Sequence, residues 1–102
     1  MSEKKYNLRI IPEVVDDIEL AKQWYNGKRS GLGDKLVNEV ESAIHTIQNN
    51  PLQFQKKYKD LRQARTNRFP YLISYLIDKL EIIILSVLHG SRNPKEFIKR
   101  LK

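Results

Sequence analysis

Six cations, Lys56, Lys57, Lys59, Arg62, Arg65 and Arg68, fall within thirteen positions, and the chain then runs on to His89-Gly90-Ser91-Arg92. A guanidinium is permanently charged and bidentate toward phosphate, so it can position an anion and stabilise charge that develops in a transition state. A histidine beside cations suits general acid or base work, or hydrogen bonding to a phosphate or a ribose hydroxyl. Arg65, Arg68, His89 and Arg92 are therefore the candidates for chemistry on a phosphodiester. Tyr58 sits inside KKYKD, where interleaved aromatic and basic residues can stack on a base, so Lys56, Lys57, Tyr58, Lys59 and Arg62 are candidate nucleic-acid contacts. Each has a plainer reading. Cations guard an edge strand against aggregation, and a lone histidine more often satisfies loop backbone groups. His45, mid-helix, reads as structural or surface.

These residues need elements to hold them. Tyr6, Leu8 and Ile10 alternate with Lys5, Asn7 and Arg9, the two-residue period of a half-buried strand. Pro12 suits the first turn of a helix, with Glu13, Asp16, Asp17 and Glu19 placing negative charge near its positive start. Val14, Ile18, Ala21 and Trp24 or Tyr25 form its apolar stripe, and Asn26-Gly27 is expected to stop it. Gly31 and Gly33 make the turn. Asp34 begins a second helix with Leu36, Val40, Ala43, Ile44 and Ile47 buried and Lys35, Glu39 and Glu41 wet, ending at Asn49-Asn50-Pro51.

Three strands follow: a polar one over 61–68, an apolar one over 71–77, and 82–89 after the turn Asp78-Lys79-Leu80-Glu81. Arg62 and Arg68 share one parity of the polar strand and Arg65 the other. Asn93-Pro94 opens a last short helix in which Phe97, Ile98 and Leu101 pack while Lys99, Arg100 and Lys102 face water. The order β-α-α-β-β-β-α predicts an α+β fold, an antiparallel helical hairpin on one face of an antiparallel sheet and cations on the other. With no repeat or linker, 1–102 reads as one domain.

Residues 1–55 carry seven Lys/Arg and eight Asp/Glu, whereas residues 56–102 carry twelve and four, so the whole +7 lies in the second half. Such asymmetry points to an anionic partner: nucleic acid, ribosome or an acidic protein. No stretch approaches the roughly 20 apolar residues of a membrane helix, and no signal-peptide segment opens the chain. The absence of cysteine removes disulfides and thiolate metal sites, and two distant histidines make no metal site, so neither metal nor cofactor is expected. The expected compartment is cytoplasmic.

The strand-helix-helix-sheet order, the NNPLQF breaker, the RFPYLISY strand and the ILSVLHGSRNPKEF ending resemble the RelE/ParE superfamily of toxins over roughly Tyr6 to Leu101. The resemblance implies the toxin half of a type II toxin–antitoxin (plasmid stabilisation) module. Its partner is then an acidic antitoxin that masks the basic face and carries operator DNA binding on its own account. RelE-like members cleave mRNA in the ribosome without metal, and by position Lys56 and Lys57 match their loop lysines, Arg65 a strand arginine, and His89 and Arg92 the C-terminal pair. Those nucleases carry an arginine after the first aromatic of the apolar strand, where Tyr71 is followed here by Leu72. ParE-like members inhibit DNA gyrase as protein binders and end in a His-Gly-x-Arg like 89–92. The implied function is a ParE-like gyrase inhibitor, with a ribosome-dependent nuclease or a non-toxic nucleic-acid-binding domain as the alternatives.

Overall fold

The computed structural model describes residues 5–100. The elements are β1 (Asn7–Ile10), α1 (Pro12–Lys28), α2 (Leu32–Asn49), a 3-10 turn (Pro51–Gln53), β2 (Lys56–Tyr58), β3 (Leu61–Arg65), β4 (Tyr71–Asp78), β5 (Glu81–His89) and a short α3 (Lys95–Ile98). They form one five-stranded sheet in the order β1-β5-β4-β3-β2. β3, β4 and β5 pair antiparallel as expected, and β2, a strand not anticipated, joins β3 antiparallel at the edge. β1 instead joins β5 in parallel, Asn7 opposite Glu81 and Ile10 opposite Ile84. A two-residue period reports which face a strand buries, not which neighbour it chooses or in which direction.

α1 and α2 cover one face. Val14 and Ala21 meet Leu36, Val40, Ile44 and Ile47, and these pack on Ile73, Tyr75, Ile82, Ile84 and Val87. Tyr25, not Trp24, completes the α1 stripe: its ring stands edge-on to Phe69 at 5.0 Å and to Tyr71 at 6.1 Å. Trp24 is 57% exposed with the Lys28 ammonium 4.8 Å over its ring. The helix also passes through Asn26-Gly27 rather than stopping there. The Asn26 side-chain oxygen accepts the Gly33 N–H at 2.7 Å, and the left-handed turn falls at Gly31, with φ 85°. At Gly33 the helices approach so closely that an added Cβ would lie 2.1 Å from the Lys22 carbonyl oxygen.

The polar strand is shorter than its alternation predicts. β3 stops at Arg65 because the buried Thr66 hydroxyl donates to the Phe69 carbonyl at 2.5 Å and curls residues 66–70 into a bend. Arg68 therefore leaves the sheet, and its backbone N–H reaches Glu39 of α2 at 2.7 Å. Glu39, expected in water, is partly buried by that contact. The second face of the sheet is not a plain cationic surface either. Leu61, Leu85 and Leu88 form their own apolar cluster there, covered by Ile98 of α3 with Leu76 and Ile83. Further expectations on the last helix, for Leu101, Lys102 and the side chain of Phe97, lie outside the described residues.

Arg100, expected to face water, instead joins Asp17 of α1. β1 ends at Ile10, so on the side away from β4 no strand flanks β5 at Leu85 and Val87. Asp17 accepts the Val87 N–H at 3.0 Å, and Arg100 donates to the Leu85 carbonyl at 2.9 Å and to Asp17 at 2.7 and 3.1 Å. An ion pair thus supplies the donor and acceptor that a continuing strand would have given. Bonding to Asp17 holds the Arg100 guanidinium above its ordinary pKa.

Candidate functional site

Antiparallel pairing of β4 with β5 sets Tyr71 opposite His89, and the two rings meet edge to face at 5.6 Å. Gly90 extends the ladder by one bond, donating to the Pro70 carbonyl at 2.7 Å, and the chain then turns as Arg92 N–H returns to the His89 carbonyl at 2.9 Å. That turn brings Arg92 back toward the Tyr71 ring. Burial and Tyr25 raise the Tyr71 phenol, and nearby Arg92 opposes the shift.

His89 is fixed through one nitrogen. Its Nδ1 accepts the Ser91 backbone N–H at 3.1 Å and lies 2.8 Å from the Ser91 hydroxyl oxygen. Because Nδ1 uses its lone pair as an acceptor, the neutral ring carries its proton on Nε2 and offers a donor there. Arg92 is engaged too: its guanidinium forks onto the carboxylate of Glu96, four residues on in α3. The bond raises Arg92 and pulls Glu96 below the usual carboxylate range.

A groove of about 420 Å³ opens between α1 and the ends of β4 and β5. Leu20, Trp24 and Tyr25 wall one side, Tyr71, His89 and Arg92 the other. Leu20 is 68% and Trp24 57% exposed, so α1 shows apolar side chains to its surroundings along this groove. A lone exposed apolar residue is ordinary, but several beside an aromatic-lined cleft mark an interaction surface.

The remaining candidates are distributed. Lys56, Lys57, Tyr58 and Lys59 line the edge hairpin, with Lys56 paired to Asp60 at 3.2 Å and Lys59 in the left-handed region at φ 44°. Arg62 lies opposite the core residue Tyr75 and donates to the Phe54 carbonyl at 2.6 Å, which ties the segment after α2 to the sheet. Arg65 lies opposite Leu72 on the other face. The alternation therefore separated Arg62 from Arg65 correctly, while Arg68 is carried to α2 by Glu39. The structure brings together His89, Arg92 and Tyr71, not Arg65, Arg68, His89 and Arg92 as one cluster. Tyr71 reads in sequence as a core or interface aromatic, and nothing local marks it as the histidine's neighbour. The contact of Arg92 with Glu96 was not announced either, because Arg92 lies in the bend before α3 and no helical turn joins the two.

Among the described residues no group of three or more His, Cys, Asp or Glu gathers to hold a metal ion, and no helix is long and apolar enough to cross a membrane. A family model described as the ParE toxin of type II toxin–antitoxin systems, parDE, matches residues 8–94. The fold is similar to a solved structure titled as a chromosomal ParDE TA system from P. aeruginosa, with a TM-score of 0.75 and 15% identity over 85% of this chain and 98% of that one. That likeness speaks for the fold alone. No curated protein matches the chain.

Proposed function

The chain belongs to the ParE toxin family of type II toxin–antitoxin systems, and from that premise we propose that it arrests growth by binding DNA gyrase, until an acidic antitoxin covers it. The observation that carries this reading is the state of His89. With Nδ1 accepting from Ser91, the ring presents an Nε2–H donor, and it can act as a base only after giving up that bond. Arg92 is neutralised by Glu96, Arg62 is spent on the Phe54 carbonyl and Arg68 lies against α2. A ribonuclease of this kind needs several cations free around one phosphate. A protein binder needs an apolar, aromatic groove with a polar rim, which α1, Tyr71 and His89 supply.

The ribosome-dependent nuclease is the second reading, favoured by Tyr71 and Arg92 flanking His89. In that reading Arg65, Arg68, His89 and Arg92 act on the phosphodiester while Lys56, Lys57, Tyr58, Lys59 and Arg62 hold the RNA. His89→Gln separates the two, because glutamine keeps an amide donor near the Nε2 position but has no proton-accepting nitrogen. Inducing the chain alone, with plasmid supercoiling and translating mRNA followed together, should show lost supercoiling, intact mRNA and persistent toxicity in His89→Gln. Codon-phased mRNA cleavage that disappears in His89→Gln would overturn the gyrase reading. Operator DNA enters, in either case, through the antitoxin.

A further inference from the structure

On the sheet face opposite α1 and α2, the register pairs Ser74 with Ser86 and then skips a residue, so that Tyr75 pairs with Ile84. The irregularity places two hydroxyls side by side among Leu72, Leu85 and Leu88. Both serines are 1% exposed. Ser74 is satisfied, its oxygen accepting the Gln63 amide at 3.1 Å. Ser86 is not: its hydroxyl is buried without a hydrogen-bond partner among the described residues. An apolar sheet face gains nothing from a buried unpaired hydroxyl, so the group is expected to meet a polar atom from outside.

Both serines line a cavity of about 80 Å³ whose wall also includes Gln63 and Leu88, and whose rim carries Gly90 and Arg92. A cavity of this size, open at one side, holds a small polar group such as a side-chain carboxylate. Charge limits the occupant further. Residues 56–102 carry twelve Lys/Arg against four Asp/Glu, and the rim guanidinium already grips a carboxylate, that of Glu96.

We propose that this cavity receives one Asp or Glu side chain of the antitoxin. Its carboxylate accepts from the Ser86 hydroxyl and from Arg92, which exchanges Glu96 for the incoming group. Glu96 is then an internal competitor that sets the affinity. The assignment rests on the toxin reading above and adds to it a particular anchor point.

The test uses the full chain with the antitoxin encoded beside it, and measures the dissociation constant and the dissociation rate of the complex. Ser86→Val should weaken binding about 10-fold or more, chiefly by faster dissociation. One Asp or Glu of the antitoxin, changed to Asn or Gln, should cost a similar factor and cancel the effect of Ser86→Val. Glu96→Gln should act in the opposite sense and tighten the complex severalfold, which a merely structural role for Glu96 would not do. Thermal melts of each variant separate folding from binding. A tight complex whose affinity ignores Ser86→Val overturns the proposal and leaves the toxin reading standing. The same is true if Ser86→Val lowers affinity for single-stranded RNA but not for the antitoxin. Failure of the unaltered chain to bind any adjacent gene product would overturn both.

Discussion

Asp17 and Arg100 are 83 residues apart in sequence, and their side chains join at the uncovered edge of β5, 2.7 Å between Arg100 Nη1 and Asp17 Oδ2. One is on the first helix and the other beyond the last. Together they bond the N–H of Val87 and the carbonyl of Leu85, so the pair serves the sheet as well as its own charges.

Removing the carboxylate should therefore cost more than removing the guanidinium. Asp17→Ala leaves the Val87 N–H and a partly buried Arg100 without their partner, a loss of about 2–4 kcal/mol. Arg100→Ala leaves Asp17 bonded to Val87, a loss of about 1–2 kcal/mol. Urea denaturation of both single variants and the double variant gives the coupling, and the double variant is expected to lie close to Asp17→Ala. Equal, additive losses would contradict the shared role.

Tyr75 predicts an alkaline limit. Its ring is 0% exposed and its hydroxyl donates to the Pro51 carbonyl at 2.5 Å. Burial pushes the phenol up to about 12, against a weaker lowering by Arg62. A folded-state value raised above the unfolded one gives stability that is fully present below pH 10 and lost as pH rises to about 12. The slope contributed there is at most about 1.4 kcal/mol per pH unit. Tyr75→Phe should flatten denaturation midpoints measured across this window, at the expense of one buried hydrogen bond at neutral pH.

Two glycines should respond oppositely to alanine. Gly33→Ala forces a Cβ against the Lys22 carbonyl at 2.1 Å, so α1 and α2 must separate, with a loss of about 1–3 kcal/mol. Gly27 lies within α1 with nothing within 4 Å of an added Cβ, so Gly27→Ala should gain about 0.5–1 kcal/mol. Paired thermal melts check the sign of each.

The cations should also divide. Arg62→Gln removes the bond to Phe54 and lowers stability by about 1–2 kcal/mol. Lys57→Gln and Lys59→Gln lie on the exposed hairpin and should leave stability within about 0.5 kcal/mol. If the hairpin contacts a polyanion, each lysine change should reduce the logarithmic salt slope of binding by about one. A stable Arg62→Gln would remove it from the structural group.

Helical stripes at Val14, Ala21, Leu36, Val40 and Ile47, and the apolar runs of the last two strands, made both helices and the sheet legible, because burial selects the residues it covers. β2 escaped. Its Lys56-Lys57-Tyr58 has no apolar alternation, since an edge strand that buries no face has no period to record. The bend at Thr66 was also hidden, for a side-chain hydroxyl closes it and no glycine announces it. Of the candidate site, the pairing of His89 with Arg92 was readable from their spacing. Tyr71 opposite His89 was not, because register across a sheet is a tertiary choice. The same holds for Asp17 with Arg100, where each residue alone looks like ordinary helix-surface charge.

The parallel match of β1 with β5 also has a timetable. Asn7 waits for Glu81, and at roughly 5–20 residues per second that wait is about 4–15 seconds of synthesis. Once Asn49 has been added, the helical hairpin is made and still has no completed sheet to lie on. The nascent chain is thus at its stickiest while still being built, and protection from a chaperone matters most in those seconds.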